Sequence, residues 1–239
     1  MRKVKFSPGN IYHIYNRGIE KRNIFLSDND RWRFLQGLLL FNDQKTATNI
    51  LYRLERDKKM LNFKVLRNYL NNEADERRPL VRIMLDCLRP NHFHLLLEEV
   101  LENGVSHFMQ KLGIGYTKYF NTKYERNGHL FQGRFQAVQV ENNEQFKYLF
   151  VYINVINPLQ DINPKIKEEG IKDIDKAFRY LENYPWSTHQ EYLGKRDSII
   201  IDKGKAENIF SSPEEYKYFI RDILSGRKNL EPIKNMIFE

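Results

Sequence analysis

The chain has 239 residues, 41% hydrophobic and 13% aromatic, which is enough to bury a sizeable core and too apolar for a wholly disordered polymer. Lys and Arg number 39 against 31 Asp and Glu, and the resulting charge of +8 favours a polyanionic partner. The single cysteine, Cys87, excludes an internal disulfide and reads as a small buried hydrophobe, and no apolar run approaches membrane-spanning length. Ser7-Pro8-Gly9 breaks the region where a secretory signal needs its apolar stretch, so a cytoplasmic protein is expected.

Along the chain, Asn10 to Asn16 alternates as a strand does and Arg17-Gly18 ends it. Asp28 to Phe41 predicts a helix, with Asp28 able to cap it and Phe34, Leu35, Leu38 and Leu39 forming an apolar stripe. Residues 42–79 are dense in charge and read as a helical insertion. Its basic residues between Arg53 and Arg78 suit a solvated face or a grip on DNA. Leu80 to Leu88 and His92 to Leu97 are strand-like runs around a Pro90-Asn91 turn, which makes a β-hairpin. Val105, Phe108, Met109, Leu112, Tyr116, Tyr119 and Phe120 recur at helical spacing, predicting a core helix over 104–124. After the Asn127-Gly128 turn, Arg134 to Val140 alternates as a fourth strand. Asn143 can then cap a helix carrying Phe146, Leu149, Phe150 and Ile153 that stops before Pro158.

This order, β-α-β-β-α-β, predicts an α+β fold: a ferredoxin-like antiparallel sheet with helices on one face and the other face free for a ligand. Two units are expected, a domain over 1–160 and a C-terminal helical extension over 161–239 packed on it. The extension has helices near 173–183 and 213–225.

The chemistry centres on His92-Phe93-His94. Residues two apart on a strand share a face, so the two imidazoles project together about 7 Å apart at Cα. Such a pair is also what a half-exposed strand with two hydrogen-bonded histidines presents. If it holds a divalent ion, a third protein ligand is needed, and two nitrogens with an amide oxygen suit Mg2+ or Mn2+ acting on a phosphate. A tyrosine beside that ion could act as a nucleophile on a phosphodiester.

Pro90-Asn91-His92-Phe93-His94-Leu95-Leu96, followed after one helix by Asn127-Gly128-His129-Leu130-Phe131-Gln132-Gly133-Arg134-Phe135, resembles the single-tyrosine HUH transposases, in particular the REP-associated tyrosine transposases. Tyr12 to Gly18 resembles that family's first strand. Tyr184-Pro185-Trp186-Ser187 with Tyr192-Leu193-Gly194 resembles its C-terminal region. The resemblance implies a metal-dependent nuclease and strand transferase on single-stranded DNA, often beside a hairpin, working through a covalent 5′-phosphotyrosine. By position it makes His92 and His94 metal ligands, Tyr152 the nucleophile and Asn157 the ligand that completes the site. A domesticated protein that binds DNA hairpins without cleaving them is the alternative.

Two positions depart from the family pattern. Arg89 stands where the family usually has Met, and Tyr152 is separated from Asn157 by five positions rather than four. In an α-helix side chains four apart diverge by about 40° and those five apart by about 140°. A π-bulge could absorb the extra residue. Otherwise Asn157 falls short of the metal, or Ile153 occupies the nucleophile's place and the protein is inactive. Tyr148, one turn earlier, is a weaker candidate nucleophile. Tyr116 and Tyr119 read as core and His13 as structural. Arg17, His129 and Arg134 are candidate DNA contacts, although the last two also suit a plain hairpin or loop. A monomer and a homodimer both fit the sequence.

Overall fold

The computed structural model describes residues 4–45, 63–70, 77–166 and 170–226. The part of the insertion that carries Arg53, Glu55, Arg56, Asp57, Lys58 and Lys59 lies outside them, as does the end of the chain from 227.

Four strands, β1 (Ile11–Arg17), β2 (Val81–Arg89), β3 (His92–Glu99) and β4 (Gln136–Gln139), form one antiparallel sheet in the order β2-β3-β1-β4. This is the ferredoxin-like arrangement the element order predicts. Two crossover helices, α1 (Asp28–Leu40) and α3 (Gly104–Lys123), cover one face. Phe93 of β3 meets Phe34 of α1 at 4.8 Å between ring centroids, and Phe34 meets Tyr116 of α3 at 5.1 Å. Between these crossovers, α2 (Phe63–Leu70) belongs to the insertion, and its Phe63 packs edge-on against Trp32. Arg77 turns inward, donating to the Leu39 and Asn42 carbonyls and pairing with Asp43, so it ties the insertion's end to α1.

The opposite face is not free. The helix α4 (Asn143–Val151) and its continuation lie across it, with Tyr152 5.4 Å from His94 and 5.9 Å from His13 between ring centroids. The cause is the helix's own apolar content, which needs cover on both sides. Phe150 packs away from the sheet onto Tyr192, Phe210 and Tyr216 of the C-terminal region. That region contains α5 (Ile174–Asn183), the short α6 (His189–Tyr192) and α7 (Pro213–Leu224). Its segment 186–188 pairs with the outer edge of β2. Leu88 N–H donates to the Trp186 carbonyl (2.8 Å) and Thr188 N–H to the Asp86 carbonyl (3.1 Å).

Helix starts differ by one residue from those expected. Ser27, not Asp28, is the N-cap of α1, and Asp30 accepts its N–H. Asn142, not Asn143, caps α4 by accepting the Gln145 N–H at 2.8 Å. The fourth strand is shorter than 134–140 because Gly133 and Arg134 belong to the turn before it. No helix among the described residues is long and apolar enough to cross a membrane.

Asp86 is buried at the β2 edge. Burial, and then the nearby Glu191 carboxylate, push its pKa up to about 7, with Arg196 pulling the other way. The folded protein therefore holds a proton that the unfolded chain releases near 3.8, so this contribution to stability is present below that pH and is lost as pH rises toward 7. Asp86→Asn should remove that fall, which amounts to roughly 4 kcal/mol over the whole range and roughly 3 kcal/mol between pH 4.5 and 8. Urea midpoints of the two proteins at pH 4.5 and pH 8 check this: they should converge at the acid end and favour the variant at the alkaline end.

Candidate active site

Residues directly opposite on neighbouring strands share a face. The register therefore places Arg17, His92 and Arg89 in one row across the sheet, and Gln136, Tyr15, His94 and Cys87 in the next. The rings of His92 and His94 lie 5.0 Å apart and nearly perpendicular.

Each imidazole is oriented by a neighbour. Asn91 donates from Nδ2 to the Lys21 carbonyl (3.2 Å), which turns its Oδ1 toward His92 Nδ1 at 2.6 Å. His92 Nδ1 must then carry the proton, leaving the lone pair on Nε2. His94 Nδ1 bonds His13 Nε2 at 3.0 Å, so the nitrogen His94 would offer a cation is Nε2. His13 was expected to be structural, and its place here is to hold a candidate ligand's ring. Its alternation with Tyr15 on β1 was the available signal.

The spacing of Tyr152 and Asn157 is absorbed by a π turn over Tyr152–Ile156. The Tyr152 carbonyl accepts both the backbone N–H of Asn157 and its Nδ2, the latter at 2.9 Å. With that amide donor spent, Asn157 Oδ1 faces His92 Nε2 at 3.4 Å. Two lone pairs thus point at each other. Their separation is close to that of two neighbouring ligands on one small divalent ion, about 3 Å for bonds near 2.1 Å. The donor set fits Mg2+ or Mn2+: His92 Nε2, Asn157 Oδ1 and His94. Among the described residues there is no group of three His, Cys, Asp or Glu side chains that could hold a metal, so the amide is needed for a third protein ligand.

The turn itself is held from behind. Asn154 Oδ1 accepts from Thr188 Oγ1 at 2.8 Å, and Asn154 Nδ2 donates to the Tyr216 hydroxyl at 3.3 Å. That hydroxyl also bonds His189 Nδ1 at 2.8 Å. Burial, followed by the Lys195 charge, lowers the His189 pKa to about 3, which keeps this ring neutral at physiological pH. Sequence reasoning missed Asn154, Thr188 and Tyr216. A lone Asn inside an apolar helical run was their only trace.

A cavity of about 440 Å³ opens on the histidines, and Arg17, Lys21, Asn91, Arg134, Tyr15 and Gln132 also line it. Arg17 donates to Gln132, and Asn16 Nδ2 donates to the Gly133 carbonyl at 3.2 Å. Gly133 has φ of 103°, a conformation open to glycine and strained for other residues, and it turns the chain so that Arg134 enters the cavity. Arg17 and Arg134 are thus brought to the histidines. His129 is not: it lines a separate groove beside α3. Tyr152 is 2% exposed and is not among the residues lining the cavity. Tyr148 stacks on it at 6.0 Å, and Ile153 is fully buried.

Residues 50–155 match the family model described as "Transposase IS200 like". This stretch resembles IS200-like transposases. The matched span takes in both histidines, Arg134 and Tyr152, and ends just before Asn157. A solved structure of a REP-associated tyrosine transposase bound to a REP hairpin is similar at 12% identity, covering 84% of this chain and 93% of that one with a TM-score of 0.43. No curated protein matches the chain.

Proposed function

We propose that the chain nicks and rejoins single-stranded DNA beside a hairpin, with Tyr152 as nucleophile and a divalent ion, Mg2+ or Mn2+, held by His92, His94 and Asn157. The observation that carries this is the π turn, which points Asn157 Oδ1 at the lone pair of His92 while Tyr152 packs over His94. When bound, the ion would polarise the scissile phosphate and stabilise the leaving oxygen.

The residues' own parts follow from their places. Arg17, Lys21 and Arg134 supply positive charge around the cavity and would seat the DNA phosphates. The Tyr152 oxygen forms a bond to phosphorus, the bond from phosphorus to the 3′ oxygen breaks, and the strand's 5′ phosphate stays on the tyrosine. The phenol proton passes to water and the 3′ oxygen gains one, leaving a 3′-hydroxyl that can later attack the phosphotyrosine in reverse.

A hairpin-binding protein without cleavage is the rival, favoured by the burial of Tyr152 away from the cavity wall. Incubation with a labelled single-stranded oligonucleotide carrying a hairpin, with and without Mn2+, decides between them. A denaturation-resistant protein–DNA adduct that requires Mn2+ and is lost in His92→Ala is the expected result. Retained hairpin binding with no adduct under any divalent ion would establish the rival.

A further inference from the structure

Arg89 has no part in the chemistry above, yet its side chain is nearly buried at the end of β2, 9% exposed for the residue as a whole. One guanidinium nitrogen, Nη1, donates to the backbone carbonyl of Asn157 and to Gln160 Oε1 at 3.1 Å. The other, Nη2, pairs with Asp161 Oδ1 at 2.9 Å. Its backbone meanwhile sits opposite His92 in the β2–β3 register, at the turn that carries Asn91. Arg89 therefore spans both halves of the site: its main chain is fixed to the His92 strand and its side chain grips the residue at the end of the π turn.

We infer that Arg89 is a positioning residue that sets Asn157 Oδ1 against His92 Nε2, and so determines divalent-ion affinity without touching the ion. This rests on the metal site proposed above. The physical need is specific to this chain. A π turn is less favourable than α winding and persists where tertiary contacts over-determine it. The planar fork of a buried guanidinium can hold a carbonyl, an amide oxygen and a carboxylate at once, with the cation set against the negative end of the helical turn. A Lys offers one point charge in place of that fork, and a Met offers none.

The test is Mn2+ binding by the full chain, followed through the electron paramagnetic resonance signal of free Mn2+, with circular dichroism to verify folding. The variants are Arg89→Met, Arg89→Lys, the double variant Arg89→Met/Asp161→Leu, and His92→Ala. The double variant removes both charges of the pair, so no unpaired carboxylate is left facing the apolar replacement if Arg89→Met alone misfolds. Expected are a Kd for Mn2+ raised about 10- to 100-fold in Arg89→Met and in the folded double variant, a smaller rise in Arg89→Lys, and loss of binding in His92→Ala. Wild-type affinity in a folded double variant, with binding still lost in His92→Ala, would overturn the role of Arg89 and leave the metal site standing. No Mn2+ uptake by the wild type, or undiminished uptake by His92→Ala, would remove the metal site itself and this inference with it.

Discussion

Tyr152→Phe should abolish the covalent protein–DNA adduct, reducing it at least about a thousandfold, while hairpin binding and the fold stay intact. The substitution removes one oxygen and keeps the ring that packs over His13 and His94 and stacks on Tyr148. Gel retention under denaturing conditions measures the adduct, and mobility shift of the same oligonucleotide measures binding. The parallel variant Tyr148→Phe should keep full adduct yield. If the pair behaves the other way round, the nucleophile lies one turn earlier on α4. If both single variants retain the adduct, neither tyrosine is the sole attacking group.

Asp30→Ala should cost about 3–5 kcal/mol of folding stability. Asp30 is fully buried and accepts from five donors: the N–H groups of Leu26 and Ser27, the hydroxyls of Tyr119 and Tyr124, and Lys123 Nζ at 2.6 Å. Removing it strands two backbone donors at the start of α1 and three side-chain donors on or just beyond α3. Burial alone would raise the Asp30 pKa, but the hydrogen bonds from Lys123, Tyr124 and Tyr119 and the Leu26 amide outweigh it and hold it below 3.8. Its contribution is therefore complete above pH 3.8 and is lost as pH falls through the lower folded value. Urea denaturation at pH 7 measures the loss, and the gap between wild type and Asp30→Ala should close only in strong acid.

The order of elements was legible because alternation and helical spacing are local properties of the chain, and they sufficed to predict the four-stranded sheet. Cap positions were less so: Ser27 and Asp28, like Asn142 and Asn143, are adjacent residues of equal capping ability, and tertiary contacts choose between them. The five-position spacing of Tyr152 and Asn157 could be read as incompatible with α winding, which narrowed the outcome to three. Which one holds depends on Arg89, Thr188 and Tyr216, which lie 68, 34 and 62 positions from the residues they bond, Asn157 for Arg89 and Asn154 for the other two. No local pattern encodes such pairings. The occupied second face of the sheet was missed for the same reason, since Phe150 meets Tyr192, Phe210 and Tyr216 only after the chain has turned back on itself.

The segment 186–188 along β2 also bears on how this chain meets copies of itself. An uncovered strand edge is a template for pairing with another chain, and the risk grows with its length and apolar content. β2 is nine residues long and six of them are apolar, which makes it the more hazardous of the two outer strands, and it is the one whose Leu88 amide and Asp86 carbonyl are already engaged within the same molecule. The opposite edge, β4, is four residues long and flanks its two apolar positions with Gln136 and Gln139. The sheet thus screens its stickier border from intermolecular strand addition and leaves toward solvent the border least suited to aggregation.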